Sequence, residues 1–351
     1  MKLALAVALV LAACGPALAG SSWTYQDTKQ STAANDVALA MRSGLAWPVI
    51  FAQPNTIALL PTGWQVVGAN LVGTKPKAAS SPLGEVAAIG ERAATMGYSG
   101  VHSTSLGWAP LTADAIDYDS LGTLWTATRT GEVSYLAGGS WHSLPSLGGG
   151  YGGILIAAAP SGEIGVVTFG AELQYHHYSV LTGGWTHSGN LTDGEAPMVV
   201  GGLEFDAHNR PHIIGAAGEL IKAKEFDVPS GTWVTRTLFT CSSSPPPGMP
   251  TAVSGSGEVA TAFVSGSQIH LLYKPQDGEW TDSILPAMPG GAMPDPGGLG
   301  LAYDFDDLPV IAFRSGPNMW LAYDPVDLPE PIGLGLLALG LLGLRKRRQR
   351  T

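Results

Sequence analysis

The sequence predicts an all-β fold: a seven-bladed β-propeller closed by an N-terminal strand and followed by a short C-terminal apolar helix. Three observations predict it. First, a unit of three or four short extended runs separated by turn residues recurs along the chain, most legibly from Asp206 to Trp233. Second, its opening turn has counterparts at Gly44, Gly84, Gly122, Gly162, Asn209, Gly257 and Asp307, at spacings of 38 to 50 residues. That is the length of one four-stranded blade, and the 3.6-residue apolar spacing of helical repeats is missing. Third, a tryptophan follows the first six turns by 19 to 24 residues, at Trp64, Trp108, Trp141, Trp185, Trp233 and Trp280. The seventh unit lacks one, and its counterpart is Trp23 at the other end. A strand from the N-terminus is therefore expected to complete the last blade near Leu321, protecting edges that would otherwise recruit other chains. The tryptophans are expected to pack between neighbouring blades.

In chain order, Met1-Lys2, the apolar run Leu3 to Ala13 and Ala17-Leu18-Ala19 before Gly20 fit a cleaved leader over residues 1–19, which implies export. A competing cut precedes Cys14, because Leu11-Ala12-Ala13-Cys14 resembles a bacterial lipobox whose cysteine is lipidated. Residues 20–327 carry the repeats. Their second strands read as apolar runs such as IGVVTFG, HIIGAA and EVATAFV, with little alternation, as suits strands covered on both faces. The Pro-rich stretches 242–250 and 286–298 read as excursions on one rim.

Composition agrees with this architecture. With 47 Gly, 26 Pro and only 13% charged residues in 351, the chain is rich in turns and poor in charge. Its formal net charge is −10, and the five basic side chains at the C-terminal end mask a more acidic body of about −15. Non-specific nucleic-acid binding needs Lys and Arg against phosphates, so it is excluded on charge. Cys241 is the one cysteine outside the leader, so no intrachain disulfide is expected, and the body is expected to be a monomer.

The C-terminal end has three parts: Pro329-Glu330-Pro331 after Leu328, thirteen apolar residues from Ile332 to Leu344, and a basic tail to Thr351. This order resembles the PEP-CTERM sorting signal of exported bacterial proteins. The resemblance covers 328–351 alone and implies processing by an exosortase-type membrane protease, with release or transfer to the cell surface or extracellular matrix. Leu328 stands where Val is common, and Ile332 where a small hydroxyl residue often follows. Thirteen residues rise only about 20 Å as a helix, short of a hydrocarbon core of about 30 Å, so a transient anchor is expected, with the arginines cytoplasmic.

Chemistry-bearing residues are sparse. Arg92, Arg129 and Arg314 each fall at a turn between second and third strands, which share one face of a propeller disc, and guanidinium forks there form a candidate anion-binding set. Asp304, Asp306 and Asp307 cluster on the opposite face as a candidate calcium site; no other cofactor is indicated. Asp119 to Trp125 resembles the Asp box of sialidase-type propellers, but its spacing is one residue too long, and it reads as a turn. His176-His177 with His187, and His208 with His212, lack a third ligand at zinc spacing. No catalytic residue is assigned. The expectation is an exported, non-catalytic binding or scaffold propeller, with extracellular polysaccharide as a candidate partner. The alternatives are a glycan-acting hydrolase or lyase, marked by carboxylates or a Tyr/Glu couple converging on the central depression, and a periplasmic lipoprotein held through Cys14.

Overall fold

The computed structural model describes residues 23–31, 36–42, 47–52, 55–60, 63–69, 76–82, 85–89, 96–99, 102–105, 113–192, 198–243, 249–304 and 306–323. The leader, Cys14, Arg92, Trp108, the Pro-Glu-Pro motif, the C-terminal apolar helix and the basic tail lie outside the described residues.

The fold is an all-β propeller. Strand β1 covers Thr24–Ser31. Blade 1 is β2 to β5, at Val37–Arg42, Trp47–Ala52, Asn55–Leu60 and Gly63–Ala69. Blade 2 is β6 to β9, at Lys77–Ser80, Val86–Ile89, Met96–Ser99 and His102–Ser105. Blade 3 is β10 to β13, at Ala115–Tyr118, Leu124–Ala127, Val133–Ala137 and Ser140–Ser143. Blade 4 is β14 to β17, at Gly153–Ala158, Ile164–Phe169, Gln174–Ser179 and Gly184–Asn190. Blade 5 is β18 to β21, at Val199–Phe205, Pro211–Ala217, Leu220–Asp227 and Thr232–Thr240. Blade 6 is β22 to β25, at Thr251–Val253, Val259–Ser265, Gln268–Lys274 and Thr281–Ile284. The last sheet joins β26, β27 and β28, at Leu299–Tyr303, Pro309–Ser315 and Asn318–Tyr323, to β1.

Among the described residues the strands pair as seven four-stranded antiparallel sheets. The N-terminal strand lies beside the last one, with Thr24 opposite Tyr323 and Gln26 opposite Leu321. The helical content among the described residues is one 3₁₀ turn, Pro289–Gly291, and no helix there is long and apolar enough to cross a membrane.

The core is divided among the blade interfaces. Each of the seven buried clusters draws side chains from two successive sheets: Val37 and Ile50 with Val310 and Leu321 across blades 1 and 7, or Leu155 and Val167 with Leu203 and Ile213 across blades 4 and 5. Outer-strand tryptophans close these clusters from outside. Trp64, Trp141, Trp185, Trp233, Trp280 and Trp23 each pack on the cluster shared with the preceding blade.

The recurring turn residue has a backbone reason. Gly122, Gly162 and Gly257 have φ of 82°, 88° and 87°, and Asn209 and Asp307 both have φ of 59°. This is the left-handed region, open to Gly and tolerated by Asn and Asp. Three residues earlier an Asp or Ser stands at four of these turns, with Ala159 at the fifth: Asp119 Oδ1 accepts from the Leu121 and Thr123 amides at 2.9 and 2.8 Å, and Asp206 Oδ1 accepts from the His208 and Arg210 amides at 2.9 and 3.0 Å. The Asp-box-like stretch is one of these turns, with the Trp125 indole donating to Asp119 Oδ2 at 3.0 Å.

Blades 7 and 1 approach closely where the ring closes. A Cβ on Gly300 of β26 would stand 2.7 Å from the Leu39 nitrogen of β2, and backbone cannot give way as a flexible side chain can. Gly300→Ala is expected to cost about 1–3 kcal/mol through overpacking. Denaturant unfolding checks it; an unchanged midpoint would mean that this approach is not tight.

Candidate functional site

Of the expected anion set, Arg129 and Arg314 are described, and each is paired with a carboxylate. Arg129 follows β11, and its Nε lies 3.2 Å from Asp114 Oδ1 while its amide donates to Asp114 Oδ2 at 2.8 Å. Arg314, near the end of β27, pairs with Asp295 of the 286–298 loop. Both charges are neutralised inside their own blades.

The acidic cluster on the opposite face works as turn and clamp. Asp304 Oδ1 accepts from the Asp306 and Leu308 amides at 3.0 and 2.9 Å. Asp307 reaches into blade 6, where its two oxygens accept from the Gly255 and Ser256 amides at 2.6 and 3.0 Å. Asn209 does the same between blades 5 and 4, its Oδ1 accepting from the Ser161 amide at 2.9 Å. Among the described residues no three His, Cys, Asp or Glu side chains converge on a metal-sized site.

Two carboxyls missing from the sequence reading stand at the centre. Asp117 in β10 and Glu204 in β18 occupy one register, the second pair from the blade's first turn, opposite Trp125 and His212. The other blades place Met41, Ala79, Ala157, Ala252 and Ala302 there. Each carboxyl leans on the next blade: Asp117 Oδ2 accepts from the Ala158 amide at 2.8 Å, and Glu204 Oε1 from the Thr251 hydroxyl at 3.0 Å. Burial pushes Asp117 up to about 7, and burial with the charge of Asp117 pushes Glu204 up to about 8. Glu204 lines a central cavity of about 400 Å³ bounded by the innermost strands. Superposing AIDYD, GLEFD and GLAYD on their turn aspartates would have exposed both positions as departures from the repeat.

Further out on blade 5, His212 is buried between Asp206 Oδ2 at 3.3 Å and Glu225 Oε1 at 3.5 Å. Glu225 also accepts from Trp280 Nε1 at 2.6 Å, Lys274 Nζ at 3.0 Å and Arg236 Nε at 3.1 Å. Burial alone would raise both carboxyls and lower His212, but these bonds outweigh it, holding Asp206 and Glu225 below the carboxylate range and His212 above its usual value. The group ties blade 5 to blade 6 and includes no nucleophile. A Tyr/Glu couple exists too, with Tyr303 donating to Glu258 Oε1 at 2.7 Å. Burial, then the Glu258 charge, pushes this phenol well above its ordinary value, the reverse of an activated nucleophile.

The adjacent histidines of β16 have different partners. His176 Nδ1 sits 2.7 Å from His187 Nδ1 with its Nε2 2.9 Å from the Thr168 hydroxyl, and burial followed by His187 lowers it to about 4. His177 points instead to Glu163 Oε2 at 3.2 Å. Beside His177 and His187 a groove of about 350 Å³ opens between blades 4 and 5, walled by Tyr175, Phe226 and Trp233. The rings meet edge to face, Tyr175 to Trp233 at 5.1 Å and Phe226 to Trp233 at 5.6 Å between centroids.

The central carboxyls set a pH dependence. Their folded pKa values lie above the unfolded 3.8 and 4.5, so the folded chain binds these protons more tightly and loses stability as pH rises from about 4 through about 8. Glu204→Gln keeps an acceptor for Thr251 and removes the Glu204 share of that loss. The variant is expected to melt higher than wild type at about pH 9 and equally at about pH 4; a lower melting temperature at both would contradict the assignment.

No protein-family profile and no curated protein matches the chain. Among solved structures it is similar to YCF48 bound to D1 peptide, with a TM-score of 0.57, 17% identity, and coverage of 88% of this chain and 98% of that one. It is also similar to the extracellular domain of BT4673 from B. thetaiotaomicron, with a TM-score of 0.58, 11% identity, and coverage of 85% of this chain and 39% of that one. At these identities the likeness supports the propeller fold and extends no further.

Proposed function

We propose that this protein is an exported, non-catalytic binding propeller, delivered by its leader, sorted through the PEP-CTERM-like end by an exosortase-type protease, and working at the cell surface or in extracellular polysaccharide. The observation that carries the binding reading is the contrast between the polar clusters and the groove. Asp206, Glu225, Asp307, Arg129 and Arg314 are all engaged within or between blades, whereas the groove between blades 4 and 5 opens on Tyr175, Phe226, Trp233 and Asn209. Concave aromatic sites with few polar groups are the usual form of a ligand pocket. YCF48, described as bound to a peptide, is one instance of binding on such a fold.

One observation favours the hydrolase reading. Asp117 and Glu204 both titrate near neutrality in the core of the ring, where an acid catalyst would be tuned. The mature chain, incubated with neutral and acidic polysaccharides including the host's own exopolysaccharide, separates the two. Retention without released fragments is expected. Fragments that disappear with Glu204→Gln would replace the binding reading with the hydrolase, and neither retention nor release would leave a scaffold.

A further inference from the structure

We infer that the groove between blades 4 and 5 seats a pyranose ring of a neutral glycan, with Trp233 as its platform; this assignment rests on the binding reading and names its site and ligand class. The first argument is a break in the repeat. Among the described residues six outer tryptophans hold equivalent places, and their indole N–H groups meet different fates. Those of Trp185 and Trp280 donate to Pro145 O at 2.8 Å and to Glu225 at 2.6 Å. Those of Trp23, Trp64 and Trp141 are sealed in the interfaces. Trp233 is neither bonded nor sealed, and its side chain lines the open groove.

The second argument is the chemistry of the remaining wall. Thr186, His187, Ser188 and Asn209 also line the groove; the Ser188 hydroxyl already donates to Gly189 O and accepts from the Tyr175 amide, both at 3.0 Å, and the Thr186 hydroxyl donates to His177 O at 3.4 Å, so each is left to act as an acceptor. The Asn209 Oδ1 is fixed by the Ser161 amide, which leaves its Nδ2 as a donor held in place at the mouth. Aromatic faces against the C–H side of a ring, with hydroxyl and amide groups at its edge, match a sugar. A lipid chain would leave the Asn209 amide unmatched, and a nucleotide or uronate would need a cation. His177 of the lining already faces Glu163 Oε2 at 3.2 Å. A volume of about 350 Å³ lies at the small end of ligand sites, roughly 300–1,000 Å³, so one or two sugar units fit and the remaining chain would run along the surface.

Titration calorimetry of the full chain with neutral gluco-, manno- and galacto-oligosaccharides, and with oligouronates as the acidic comparator, tests this. At least one neutral series is expected to bind. Trp233→Phe, which keeps a ring in the blade 4/5 cluster, should weaken it roughly tenfold, and Trp185→Phe at the equivalent place in blade 4 should change it less than about twofold. Asn209→Gly tolerates the same backbone and removes the amide, and should also weaken binding; thermal melts of each variant report folding separately. Binding untouched by Trp233→Phe and Asn209→Gly would overturn the site while leaving the binding reading in place. Preference for oligouronates would overturn the ligand class. Retention on a polysaccharide with no oligosaccharide bound would overturn the site alone, and absence of both would overturn the site and the binding reading together.

Discussion

The pairing of the first strand with the last is the constraint on which this ring depends. Without β1, the edge of β28 would be bare, and blade 7 could not cover its neighbours. Closure joins residues about 300 apart in sequence, which by the (3/2)RT ln n scaling costs about 5 kcal/mol of chain entropy. Against it stand side chains that are buried only once the sheet is complete. Met319 and Leu321 are fully buried, and Trp23 and Tyr25 pack on the blade 6/7 cluster. At about 1.5–3 kcal/mol for each large apolar side chain removed from water, two or three of them offset the entropy. The Thr28 hydroxyl adds a buried bond to Met319 O at 2.9 Å, and the Tyr25 ring meets Phe313 edge to face at 6.1 Å.

Closure explains why so much polar chemistry here is structural. Every blade must be held at a fixed angle to the next, and apolar faces alone permit sliding. Asp307 and Asn209 clamp neighbouring turns, Asp117 and Glu204 bridge to the next inner strand, and Glu225 gathers Trp280 and Lys274 of blade 6 onto blade 5. A carboxylate in such a place resembles a catalytic or metal ligand when read in isolation. Its partners reveal its work.

The fold was largely legible because it is written repeatedly. A left-handed turn position admits few residues, so Gly122, Gly162, Asn209, Gly257 and Asp307 mark the blades by steric necessity, and the displaced Trp23 foretold the sharing of the last sheet. The candidate site was less legible. Asp304, Asp306 and Asp307 read as a cation site because sequence shows proximity along the chain and not the blade 6 amides across the interface. Arg129 and Arg314 read as free forks because Asp114 and Asp295 lie 15 and 19 residues away. Trp233 was indistinguishable from the six other tryptophans of the repeat, since what separates it is the unbonded indole N–H beside an open groove, a tertiary fact. Asp117 and Glu204 were within reach, as departures from alanine or methionine at one register.

The most direct test of closure is native-state hydrogen exchange followed by mass spectrometry on peptides covering Thr24–Ser31 and Asn318–Tyr323. If the terminal strand holds the ring, its amides and those of β28 exchange only with the global unfolding that also releases β19 and β20 of blade 5, at one common free energy. If β1 exchanges early while blade 5 remains protected, the N-terminal strand is an appendage, and the seven interfaces hold the ring without it.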